Sequence, residues 1–115
     1  MRGKGKISPL LTRAEEIVLL AVRQLNDQAY GVMIRGFVSE VTGYAWSIGA
    51  VYAPLYRLER KGFVRAQAGE PTPARGGRRK VYYSLTPDGA QALMLIQRVQ
   101  SALWAKLKPL PADVT

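Results

Sequence analysis

Apolar residues recur along this chain with two different periods. Ile17, Leu20, Ala21 and Leu25 are spaced as one face of a helix, which the spacing predicts from Thr12 to about Leu25. Thr12 and Glu15 form a capping-box pattern at its start, and Glu15 and Glu16 suit the positive helix end. After a short turn over 26–29, Ile34, Val38 and Val41 mark a second helix from Tyr30 to Thr42, widened by Met33 and Phe37 and ended by Gly43. Ser47 is a good N-cap for a third helix running to Lys61, and Gly62 stops it. Trp46 and Val51 have the spacing of a hydrophobic staple around that cap.

The period then changes. Residues 63–67 and 81–85 read as two short strands, separated by a Gly/Pro-rich loop over 68–80. Thr86 caps a fourth helix with Pro87 in its first position and Asp88 near its positive end. It extends to about Lys106, and Pro109 and Pro111 close it. The order is three helices, a hairpin and a helix: a mainly α fold with a small β-hairpin wing. Residues 1–11 form a basic arm, 12–86 a winged helix-turn-helix domain, 87–107 a C-terminal dimerisation helix and 108–115 a tail.

Composition narrows the chemistry. With neither Cys nor His among 115 residues, disulfides, thiolate nucleophiles, common zinc sites and imidazole acid–base work are excluded. Only eight Asp and Glu remain, several already used at helix starts, so no enzyme, cofactor or metal is expected. The longest apolar run, Ile17 to Val22, is far short of the ~20 residues of a membrane span, and no apolar stretch follows the basic N-terminus as in a signal peptide. A soluble, cytoplasmic protein is expected. The net charge of +9 points to a polyanionic partner.

The positions of the charges sharpen this. Steps of 100° place Ile48, Val51, Leu55 and Leu58 of the third helix inward. Gly49, Ala50, Ala53, Tyr56, Arg57 and Arg60 then face outward, with Tyr52 at the border. Small residues followed by Arg allow close approach to a DNA groove; a solvated polar face has the same pattern. Pro54 removes one helical hydrogen bond and is read either as a bend or as a tolerated irregularity. Four cations fall within six residues at Arg75, Arg78, Arg79 and Lys80, where a winged helix has its wing. Arg2, Lys4, Lys6 and Arg13 can add phosphate contacts or form a solubilising tail. Leu93, Ile96, Gln100, Leu103 and Leu107 follow a heptad spacing, read as a dimer seam. Trp104, beside it, suits either that interface or a flat ligand in a dimer cavity. Glu59 is expected to pair with a nearby cation.

Four segments in order resemble the PadR family of transcription regulators over about residues 12–107. They are Tyr30-Gly31, residues 47–62 (SIGAVYAPLYRLERKG), residues 69–80 (GEPTPARGGRRK) and residues 82–89 (YYSLTPDG). The resemblance implies a winged-helix dimer, usually a repressor, released in some members by a small-molecule effector. The single C-terminal helix looks like the family's short subgroup. By match to its motifs, Ser47, Gly49 and Tyr52 fall at recognition-helix positions and Tyr30 at a phosphate contact. The combined expectation is base contacts from Ser47, Gly49, Ala53 and Arg57, backbone contacts from Tyr30 and Tyr52, and wing contacts from Arg75, Arg78, Arg79 and Lys80. The partner is then a near-palindromic double-stranded operator. An RNA-binding or ribosome-associated module is the alternative on charge alone, and a winged helix that binds only ligand or protein is another.

Overall fold

The Thr12 hydroxyl accepts from the Glu15 N–H at 3.1 Å, and the Glu15 carboxylate accepts from the Thr12 N–H at 2.9 Å. Both halves of the capping box therefore form, and they open helix α1 (Arg13–Leu25). This geometry comes from a computed structural model, which describes residues 10–71 and 79–112. Of the basic positions singled out above, Arg2, Lys4, Lys6, Arg75 and Arg78 lie outside the described residues.

A 3-10 turn (Asn26–Gln28) leads to α2 (Gly31–Thr42). Gly43 ends α2 in the left-handed conformation, φ 84°, which glycine adopts without a Cβ penalty. Helix α3 (Ile48–Arg60) starts at Ser47, whose Oγ accepts from the Ala50 N–H at 3.1 Å. It runs through the buried Pro54 as one helix. Strands β1 (Val64–Pro71) and β2 (Arg79–Leu85) pair antiparallel, from Val64 opposite Leu85 to Ala68 opposite Val81. Both strands are longer than predicted. Backbone pairing needs no apolar side chain, so β1 runs on past Ala68 into the segment read as loop, with an irregularity at Gly69 and Glu70 before Pro71 pairs with Arg79. The register shifts before Pro71, which has no N–H to give. Helix α4 (Pro87–Lys106) begins at Thr86, whose Oγ accepts from the Gly89 N–H at 3.0 Å.

The core joins all of these elements. Val18, Leu19 and Val22 of α1 meet Ile34 and Val38 of α2, and Val51, Leu55 and Leu58 of α3. Phe63, Val64, Tyr83, Ala92 and Leu93 close it from the hairpin and α4. Burial pushes the Tyr83 hydroxyl up to about 12, so it stays neutral. Four positions depart from the predicted inward stripes, Leu20, Met33, Val41 and Ile48 all being exposed. Val41 lies one turn beyond Val38, the last α2 residue that the core covers, and is exposed. Ile48, the first residue of α3, is 45% exposed, because the core reaches only from Val51 onward.

The residues of the expected dimer seam differ in exposure within the single chain. Leu93 and Ile96 are 8% and 6% exposed within a single chain, so their apolar surface is already covered by its own packing. A heptad spacing reports which face is apolar and not which element covers it. Gln100, Leu103 and Leu107 remain exposed.

One polar group sits inside this framework. The Glu15 side chain is 2% exposed, with Arg57 Nε at 2.8 Å from Oε2 and Lys61 Nζ at 3.0 Å from Oε1. It thus ties the start of α1 to the end of α3. Glu59, the acid expected to take a cation, is exposed and forms no ion pair among the described residues. Burial alone would raise the Glu15 carboxyl. The Thr12 N–H, Arg57 and Lys61 outweigh it and hold the group at about 2 rather than the ordinary 4.5.

Because that value is depressed, the stabilisation is fully present above pH 4.5 and is lost as pH falls through about 2. Arg57 and Lys61 are partly exposed and screened by water, so the contribution is on the order of 2–3 kcal/mol. Urea unfolding from pH 7 to pH 2 is expected to show that Glu15→Gln lowers stability at neutral pH and flattens the loss between pH 4.5 and 2. A mutant curve parallel to wild type would contradict this. Gly36 sits on the exposed face of α2, with nothing within 4 Å of where a Cβ would stand. Gly36→Ala is expected to raise stability by about 0.5–1 kcal/mol in the same assay.

Candidate nucleic-acid interface

Trp46 sets the entry of α3. Its N–H donates to Ser39 Oγ at 3.1 Å, its indole N–H to Thr42 Oγ1 at 2.9 Å, and its carbonyl accepts from Arg35 Nε at 2.8 Å. Three bonds from α2 thereby fix the residue just before the α3 cap. Its indole is buried, as is Val51. The α2–α3 connection is therefore rigid although it is short and largely exposed. The last turn of α3 is held independently, through Arg57 and Lys61 on Glu15.

Between these two anchors α3 presents Ser47, Ile48, Gly49, Ala50, Ala53, Tyr56 and Arg60 to solvent. Most of this face is small. No atom lies within 4 Å of where a Gly49 Cβ would be, so the helix backbone is open to an approaching surface. Gly49 and Ala53, four residues apart, lie on one exposed face of α3, and Ser47 is exposed at its N-cap. Arg57 does not join them: its Nε is engaged by Glu15, on the side toward α1. The 100° steps set its direction, but nothing in the spacing reveals a buried acid 42 residues earlier.

Tyr52 is half-buried. Its ring packs over Gly31, where a Cβ would collide with the phenol, and contacts Tyr56 at 5.7 Å between centroids. Tyr30 caps α2 without a side-chain bond and bridges to Tyr82 of β2. Their rings meet edge to face at 5.2 Å, and Lys80 Nζ lies 4.2 Å from the Tyr30 ring centroid. The backbone bond from the Tyr83 N–H to the Ala29 carbonyl, 2.8 Å, adds to this junction. Tyr30 and Lys80, expected as separate contacts, are therefore parts of one cluster on the loop-side half of β2. Arg79 belongs to β2, with its backbone paired to Pro71.

Arg35, Tyr44 and Tyr82 are residues of this surface that sequence reasoning misses. Tyr44 is exposed and stacks on Trp46 at 5.7 Å with planes 14° apart. An aromatic two residues before Trp46 in a turn is the signal that could have found it. At the other end of the molecule, Trp104 is 63% exposed beside Leu103 and Leu107. A groove of about 560 Å³ lies between α1 and α4, lined by Glu16, Leu20, Arg23, Met94 and Gln97 among others. Among the described residues no three carboxylates or other metal-binding side chains converge, and no helix is long and apolar enough to cross a membrane.

The same arrangement of helices and hairpin occurs in solved structures. A PadR-like transcription factor from Bacteroides fragilis is 24% identical, covering 79% of this chain and 82% of its own, with a TM-score of 0.66. A PadR family transcription regulator from Clostridium difficile is 21% identical over 80% of this chain and 91% of its own, with a TM-score of 0.67. A PadR-like transcriptional regulator from Bacillus cereus is 18% identical over 79% and 84%, with a TM-score of 0.64. At these identities the likeness shows the fold. Curated proteins gave no significant sequence match. The model of the transcriptional regulator PadR-like family matches residues 18–95, from the first core residue of α1 to the middle of α4. This chain belongs to the PadR-like family of transcriptional regulators, which act by binding DNA and not as enzymes.

Proposed function

We propose that the chain is a homodimeric repressor that binds a near-palindromic duplex operator, placing one α3 helix in each of two successive major grooves. The carrying observation is the open face of α3 around Gly49, held between the Trp46 and Glu15 anchors. A major groove about 12 Å wide admits one helix, and small residues let its backbone come near the base edges. Ser47, Gly49 and Ala53 are the proposed base-facing positions. Tyr30 and Tyr52 border the backbone, and Arg75, Arg78, Arg79 and Lys80 supply the wing charge. Arg57 is assigned to holding the pose of α3, in place of the base contact that its sequence position suggests.

Dimerisation is assigned to the residues left uncovered on α4, Gln100, Leu103, Trp104 and Leu107. A two-fold pair would set the recognition helices about one turn of DNA, ~34–36 Å, apart. Repression follows from occupancy of the operator. Trp104 on the same seam would let a flat small molecule enter between protomers and act as an effector.

Selection of bound duplexes from a random pool tests the main reading. Enrichment of two related half-sites about one turn apart is expected, and stronger capture of RNA in competition would reject it. On the selected duplex, replacing Arg78, Arg79 and Lys80 together with Ala is expected to weaken binding. The slope of log K against log salt should fall by ~0.9 for each phosphate that is no longer neutralised. An unchanged affinity and slope would remove the wing from the mechanism. Sedimentation at micromolar concentration is expected to give a dimer, and a stable monomer would refute the assignment of α4.

A further inference from the structure

We infer that the chain reads thymine 5-methyl groups in its operator through the exposed side chains of Ile48 and Tyr44; the inference rests on the duplex-binding reading above. Ile48 is the position where the fold departs most usefully from its helical pattern. It is a β-branched apolar side chain, 45% exposed, at the front of α3, while the core takes Val51, Leu55 and Leu58. Packing within the chain leaves it uncovered. Tyr44, 60% exposed, lies against Trp46, which Ser39, Thr42 and Arg35 hold in place. Its ring is therefore displayed from a fixed support.

The rest of the face explains why apolar contact would carry the reading. From Ser47 to Leu55 there is no Arg, Lys, Asn, Gln, Asp or Glu, the side chains that form the usual hydrogen-bonded pairs with base edges. Gly49, Ala50 and Ala53 offer no polar side-chain atom, which leaves the Ser47 hydroxyl, already accepting from the Ala50 N–H, as the polar group at the front of this face. The thymine methyl is the one apolar group that the four base pairs present in the major groove. An isoleucine flanked by small residues can reach it, and a glycine beside it keeps the backbone from standing off. The charge of +9 and the continuity with the family's DNA-binding role favour this occupant over an apolar face of another protein.

Deoxyuridine provides the probe, since it keeps every hydrogen bond of thymine and lacks only the methyl. Each thymine of the selected duplex is replaced in turn and affinity is measured. One or two positions in each half-site are expected to lose about fourfold, the effect of one buried methyl. Ile48→Ala is expected to weaken binding to the thymine duplex and to abolish the deoxyuridine penalty at its own position, with an unchanged melting temperature. Tyr44→Ala should do the same at a neighbouring position. Sequence-selective binding that tolerates deoxyuridine everywhere, within about twofold, would overturn this inference and leave the duplex-binding reading intact. Failure to select any duplex would overturn both. A penalty that persists unchanged in both variants would take the methyl contact away from Ile48 and Tyr44.

Discussion

A buried carboxylate holds α3, the helix proposed to read DNA, in place. Glu15 closes the cap of α1 through the Thr12 N–H and receives Arg57 and Lys61 from the far end of α3. The acid is nearly inaccessible, whereas its two cations keep contact with water, so only one partner bears a full desolvation cost. The same side chain therefore serves helix initiation and interhelical geometry. With Trp46 at the other end, α3 is fixed at both termini, and its middle is free to be small and featureless. A protein that reads DNA by shape and close approach needs this division, because accurate placement cannot be supplied by the residues that do the reading.

Charge is divided between support and surface in the same way. The cations nearest the core, Arg57, Lys61 and Lys80, are engaged by Glu15 or the Tyr30 ring. Arg60 and Arg65 remain exposed. The net charge of +9 thus overstates what a nucleic acid can meet as free cations. Part of it is structural.

The caps are legible in the sequence because they are local: Thr12, Ser47, Thr86, Gly43 and Gly62 act on neighbours within four residues. The order of helices and hairpin follows from them and from the change of period. Of the candidate site, the open face of Gly49 and Ala53 and the exposed cap at Ser47 are legible. What escapes depends on partners distant in sequence. Arg57 turns toward an acid 42 positions away. Ile48 is placed inward by a helical wheel that has no knowledge of where the core ends. Leu93 and Ile96 carry the right periodicity, but α4 lies on its own chain before any partner is met. Tyr30, Tyr82 and Lys80 converge only once the hairpin folds back on the α1–α2 connection.

That junction has a mechanical consequence. The Tyr83–Ala29 backbone bond and the Tyr30–Tyr82–Lys80 cluster bind the hairpin to α2, and Trp46 binds α2 to α3. The described strands of the hairpin and α3 are therefore parts of one connected piece, like the fixed arm of a caliper. In a dimer of such pieces, the gap that can open or close is the one between protomers. Under the proposed reading, an effector would have little leverage within a half and more between the halves, where the end of α4 is exposed.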